Sequence, residues 1–137
     1  MGILREKGEA MQRSIFAVKA KGGSGKSKTV RSILCKILSS KYPKAKKDIF
    51  AVLTIGRMKI GIMSDCHKGR TERSLELFRN CGCKLIICAT TTKGQSFDAV
   101  NGLTDYKMKK WFPLERAADK IMAQTNKIFN KRSAITR

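Results

Sequence analysis

Apolar positions along this chain follow two rhythms, and the rhythms alternate. Short continuous runs rich in β-branched residues read as buried strands: "SIFAVKA" at 14–20, "KDIFAVLTI" from 47, "MKIGIMSD" from 58 and "KLIICATT" at 84–91. Between them lie helical spacings. Val30, Ile33, Leu34, Ile37 and Leu38 recur at offsets of three, four, seven and eight, the stripe of an amphipathic helix that Tyr42-Pro43 then stops. "TERSLELFRNCG" at 71–82 places Leu75 and Phe78 on one face and Glu72 and Glu76 on another, with Gly82 as its stop. Ser96 is expected to cap a short helix through Leu103, "YKMKKWFPL" to form a peripheral strand, and Ala118, Ile121, Met122, Thr125, Ile128 and Phe129 to mark a closing helix.

Gly56-Arg57 between the second and third runs suits a two-residue hairpin turn, so those strands are expected to pair antiparallel. The order strand, helix, hairpin, helix, strand, helix, edge strand, helix predicts a three-layer α/β/α sandwich around a mostly parallel sheet with one antiparallel hairpin. At 137 residues this is one domain, spanning 14–137 behind an N-terminal arm at 1–13.

Charge changes the picture more than composition does. Thirty Lys and Arg against ten Asp and Glu give a formal net charge of +20, a field that attracts polyanions: a nucleotide, nucleic acid or an acidic protein. The basic residues gather in "KYPKAKK", "HKGRTER", "KMKK" and "NKIFNKR", either a solvated face or a nucleic-acid footprint, and no zinc-finger or helix-turn-helix pattern accompanies them. Five cysteines with a single histidine, His67, read as reduced thiols rather than a metal site. No apolar run approaches membrane-spanning length, so a cytoplasmic protein without a membrane partner is expected.

Candidate chemistry concentrates in "AKGGSGKSKT" at 20–29. A strand ends there, glycines permit a tight turn with successive N–H groups pointing inward, and a helix begins with its positive end toward the turn, which together form a phosphate cradle. "AKGGSGKS" resembles the Walker A motif of P-loop nucleoside triphosphatases and kinases, a pattern that tolerates Ala20 in its first position. The resemblance implies ATP and Mg2+ as ligands, with Gly22, Gly23, Ser24, Gly25, Lys26, Ser27 and Lys28 holding the nucleotide. Lys26 would reach the β and γ phosphates, and the Ser27 hydroxyl would take the magnesium.

A second motif of that family, an apolar strand ending in an acid, resembles "KIGIMSD" and implies that Asp65 orders the magnesium. Arg70, with Lys68 and Arg73, follows closely enough to stabilise a transferring phosphoryl group, which makes Lys26, Asp65 and Arg70 the candidate catalytic set. Thr90 or Thr91 is either a γ-phosphate sensor or part of a hydroxyl-rich capping loop, and Trp111 and Phe112 are either base-stacking residues or core anchors. The layout resembles small stand-alone ATP-binding proteins of bacteria and their mobile elements.

Two departures matter. Cys66 stands where hydrolytic relatives carry a glutamate, and no Asn-Lys-x-Asp signature for guanine occurs. Small P-loop kinases dispense with that glutamate, and their acidic strand often neighbours the P-loop strand, an arrangement the hairpin would allow. The implied functions are a minimal Mg-dependent ATPase or phosphotransferase, or a non-catalytic nucleotide-stabilised basic module binding nucleic acid or an acidic protein, such as a mobile-element regulator or inhibitor.

Overall fold

The computed structural model describes residues 13–21, 25–38, 49–64, 70–92 and 94–136. The chain runs β1 (Ser14–Lys19), α1 (Lys26–Leu38), β2 (Phe50–Ile55), β3 (Met58–Met63), α2 (Arg70–Asn80), β4 (Leu85–Thr90), α3 (Gln95–Asn101), β5 (Met108–Pro113) and α4 (Ala117–Thr136). The arm proposed at 1–13 lies outside the described residues except for Arg13. Element order and type follow the two apolar rhythms.

Five strands form one sheet in the order β2-β3-β4-β1-β5. β1 pairs parallel with both β4 and β5, β3 pairs parallel with β4, and β2 alone is antiparallel, joined to β3 by the expected hairpin. Gly56 has φ +63 at the first turn position, the left-handed value that a turn of this hand demands and glycine supplies without strain.

Side chains alternate across the sheet, so each face collects its own core. On one face Phe16, Val18, Ile60, Ile62, Ile87 and Phe112 pack against Val30, Ile33 and Leu34 of α1 and Ala117 and Ile121 of α4. On the other, Ile15, Ala17, Met63, Ile86 and Cys88 pack against Leu75 and Phe78 of α2 and Val100 and Leu103 near α3. The result is an α/β sandwich with α1 and α4 on one side and α2 and α3 on the other.

Two local expectations need correction. Ser96 does not cap α3: the helix starts one residue earlier at Gln95, with Gly94 as N-cap and no side-chain cap bond. The Ser96 hydroxyl instead accepts from the Thr91 N–H at 3.0 Å and pairs with the Thr91 hydroxyl at 3.0 Å, so the chain returning from β4 has claimed it. The helix also stops at Asn101 rather than Leu103. Second, β3 does not neighbour β1, the arrangement that the hairpin would have allowed, because β4 lies between them. The hairpin partner took one edge of β3 and the other edge went to β4.

α2 ends as Gly82 forecasts. Gly82 N–H reaches Arg79 O at 3.0 Å and Cys83 N–H reaches Phe78 O at 3.0 Å, satisfying carbonyls that the helix end would otherwise strand. Beyond it, the buried Tyr106 hydroxyl donates to the Cys83 carbonyl. Burial pushes the Cys83 thiol from 9.0 up to about 11 and the Tyr106 phenol from 10.0 up to about 12.

Both groups therefore hold their protons more tightly folded than unfolded. Above the unfolded values the unfolded chain binds fewer protons, so stability is full below about pH 9 and declines as pH rises toward 12. Thermal melts across that range should show this alkaline loss. Tyr106→Phe should start about 1 kcal/mol less stable, because a buried carbonyl loses its donor, and should then lose stability less steeply with pH. A Tyr106→Phe melt as steep in pH as wild type would refute the assignment.

Candidate phosphate-binding site at the carboxyl edge

Because β1, β3, β4 and β5 are mutually parallel, their carboxyl ends lie at one edge of the sheet. The helices that follow them divide unequally. α1 and α4, after β1 and β5, cover one face; α2 and α3, after β3 and β4, cover the other. Only between β1 and β4 do adjacent strands send their helices to opposite faces, and such a switch point opens the crevice where α/β sheets bind ligands. The glycine-rich loop leaves β1 at that crevice, with the Ala20 N–H bonded to the Thr90 carbonyl at the end of β4 at 3.2 Å.

Lys26 is the first residue of α1 and only 4% exposed. Its side chain turns back toward the end of β1, and the ammonium donates to the Ala20 carbonyl at 3.0 Å and the Lys21 carbonyl at 2.8 Å. A buried cation is costly unless hydrogen-bonded. Among the described residues main-chain carbonyls rather than a carboxylate hold it, so its charge is available to an anion. Gly25 immediately before it has φ +97, a backbone value that only glycine adopts readily and that admits the chain to the helix.

Ser27 lies against the end of β3: its hydroxyl donates to the Ser64 carbonyl at 3.3 Å. Ser64 is itself fixed by residue 49, accepting from the Ile49 N–H at 2.8 Å through its hydroxyl and donating its own N–H to the Ile49 carbonyl at 3.1 Å. Asp65 follows Ser64 in the chain, but Asp65 and the loop residues Gly22, Gly23 and Ser24 lie outside the described residues. Lys28 is exposed one residue beyond Ser27. Arg70 is the exposed first residue of α2, and Arg73 is exposed in its first turn. Of the sequence-derived set, the structure brings Lys26 and Ser27 to the switch point and puts Arg70 on the helix that follows β3.

Thr90 and Thr91, equivalent in sequence, separate here. Thr91 is bonded to Ser96 through both its N–H and its hydroxyl. Thr90 is 0% exposed, and its hydroxyl has no partner among the described residues. An unpaired buried hydroxyl costs on the order of 1–3 kcal/mol, an expense that calls for a reason.

The aromatic pair separates too. Phe112 is a core residue, 8% exposed and edge-on to Phe16 at 5.7 Å. Trp111 is half-buried on the opposite face, tilted against Phe97 at 4.6 Å, with the Lys19 ammonium 5.4 Å from the Phe97 ring and 5.5 Å from the Trp111 ring. Periodicity could not distinguish these residues, since both sit in one alternating strand.

A separate groove of about 510 Å³ lies between α2 and α3, lined by Glu72, Glu76, Asp98 and Arg79 among others. It takes no residue from the loop and sits on the face opposite α1, so it is distinct from the phosphate site. Among the described residues no cluster of His, Cys, Asp and Glu is arranged to hold a metal, and no helix is long and apolar enough to cross a membrane. No family model, no curated protein and no solved structure matches this chain.

Proposed function

We propose that this protein binds a nucleoside triphosphate, ATP, with magnesium at the carboxyl edge of β1. The observation that carries the reading is Lys26: a nearly buried residue whose ammonium is held by the Ala20 and Lys21 carbonyls at the crevice where adjacent strands send their helices to opposite faces. Ser27 and Asp65 would hold the magnesium. Held by those residues, magnesium would supply positive charge that offsets the phosphates. Gly22, Gly23, Ser24, Gly25 and Lys28 would enclose the phosphates, with Arg70 approaching from α2.

The buried, unpartnered Thr90 hydroxyl supports turnover as a Mg-dependent ATPase over storage alone. It ends β4, whose last carbonyl bonds the first residue of the loop, so it suits contact with the terminal phosphate or the attacking water. The intervening position of β4 removes the specific argument for a small kinase. A non-catalytic module in which bound nucleotide stabilises a basic surface is the second reading, favoured by the exposed Lys21, Lys28, Arg70 and Arg73.

Titration calorimetry of the full chain with Mg·ATP tests binding: saturable one-to-one uptake is expected, and its absence at millimolar nucleotide would end the proposal. Thr90→Val separates the two readings. Removing an unsatisfied hydroxyl at nearly constant volume should leave the melting temperature unchanged or raised, while turnover of Mg·ATP falls at least about tenfold. A variant that turns over ATP like wild type would deny Thr90 this role. Saturable binding without turnover in the wild type would favour the module.

A further inference from the structure

The sheet's two edges differ in kind. β5 reads "MKKWFP": Lys109 and Lys110 put charge on that edge, and Pro113 contributes no N–H. Those are the devices by which an open edge is kept from pairing with another strand. β2 reads "FAVLTI", with neither charge nor proline, in a chain where 29% of residues are charged. β2 has no second neighbour among the described residues. It also leaves Phe50, Val52 and Ile55 at 50%, 39% and 39% exposure.

The hydrogen-bonding direction follows from the register. The Ile49 carbonyl accepts from the Ser64 N–H and the Ile49 N–H donates to the Ser64 hydroxyl, and residue 55 faces Met58 across the two-residue turn. Antiparallel pairs alternate, so the odd-numbered residues of β2 spend their N–H and C=O groups on β3. Phe50, Val52 and Thr54 direct theirs outward. Their side chains share the face on which Phe50 stacks on Phe78 at 4.6 Å.

We infer that β2 is the interface of a homodimer, two copies pairing antiparallel through this edge about a two-fold axis to form one continuous sheet. A chain of charge +20 attracts acidic partners elsewhere, yet β2 offers them no charge to engage. What it matches is an uncharged strand of its own kind. A two-fold axis through Val52 sets Val52 against Val52 and Phe50 against Thr54, with no like charges opposed. Because the β5 edge is guarded, each copy has one open edge among the described residues, and pairing through it closes the assembly at two.

The electrostatic signature is specific. Two +20 chains repel, and salt screens that repulsion while leaving apolar strand pairing intact, so the dimer should tighten as salt is added. Contacts held by opposite charge loosen under the same change. Sedimentation velocity of the full chain over a concentration series, at low and high salt, is the test. The mass should rise toward twice 15.3 kDa, more so at high salt.

Val52→Lys places two ammoniums at the axis and should weaken the dimer at least about tenfold with the circular dichroism spectrum unchanged. Thr54→Lys, on the same edge, should act likewise if the first variant folds poorly. In wild type, hydrogen exchange at the amides of 50, 52 and 54 should slow as protein concentration rises. A monomer at every concentration and salt, a dimer that loosens with salt, or a dimer unaffected in folded Val52→Lys and Thr54→Lys proteins would each overturn the inference.

Discussion

Lys26→Ala is expected to lower the affinity for Mg·ATP by about tenfold to a hundredfold, the range that a charged hydrogen bond of about 1.5–3 kcal/mol implies. The reason lies in how the lysine is held before any ligand arrives. The residue is only 4% exposed, and its ammonium is already fixed by the Ala20 and Lys21 carbonyls. Much of the ordering cost of a long flexible side chain is therefore met by the fold, and the charge sits ready for a phosphate. Alanine removes that charge and leaves two carbonyls facing the crevice, a local potential of the wrong sign for an anion.

Titration calorimetry, with far-UV circular dichroism to verify folding, measures the effect. Lys26→Arg should not restore affinity, because the planar guanidinium lacks the compact shape that fits between the two carbonyls. Undiminished Mg·ATP binding by a folded Lys26→Ala protein would remove the loop as the nucleotide site, whatever the protein binds elsewhere.

Gly61→Ala should cost about 1–3 kcal/mol and lower the melting temperature by several degrees, although it adds one methyl group. A Cβ at residue 61 falls 2.5 Å from Cγ of Phe78 and under 3 Å from both ring Cδ atoms. The atoms struck are the root of the ring, so a rotation of the side chain does not clear them. Phe78 is itself fully buried, and its other flank is stacked on Phe50. Relief requires moving α2 away from the sheet, at the expense of the core shared by Met63, Leu75 and Phe78.

Phe78→Leu offers a check on this cause. In the wild-type background it removes buried surface and destabilises; in the Gly61→Ala background it also removes the clash, so the double variant should be more stable than the two single effects add up to. Additive losses would show that the ring and the new methyl do not meet. A Gly61→Ala melt within experimental error of wild type would show that the helix yields without cost.

The local chemistry of this chain is legible because it depends on near neighbours. Alternating apolar periods define β1 to β5 and the helices between them, Gly56 and Gly82 mark a hairpin turn and a helix end, and the Lys26-Ser27 pair after the glycines marks the start of α1. Each of these rests on residues a few positions apart, and backbone stereochemistry reads such patterns directly. Ser96 shows where this fails: a serine beside a helix start is a sound cap by propensity, but Thr91, five residues upstream, competes for its hydroxyl once the loop folds back.

By itself, then, the sequence determined the kinds and order of elements, the charge field and the residue types of the loop. Tertiary structure alone decided that β4 separates β1 from β3, that the switch point falls between β1 and β4, that the hydroxyl of Thr90 rather than that of Thr91 has no partner among the described residues, and that β2 and β5 take the two edges of the sheet. The physical reason is common to all four. Strand order and the face taken by each helix arise from how two apolar surfaces are best covered, a choice among distant segments that no local period encodes, and the fate of individual hydroxyls and edges follows from it.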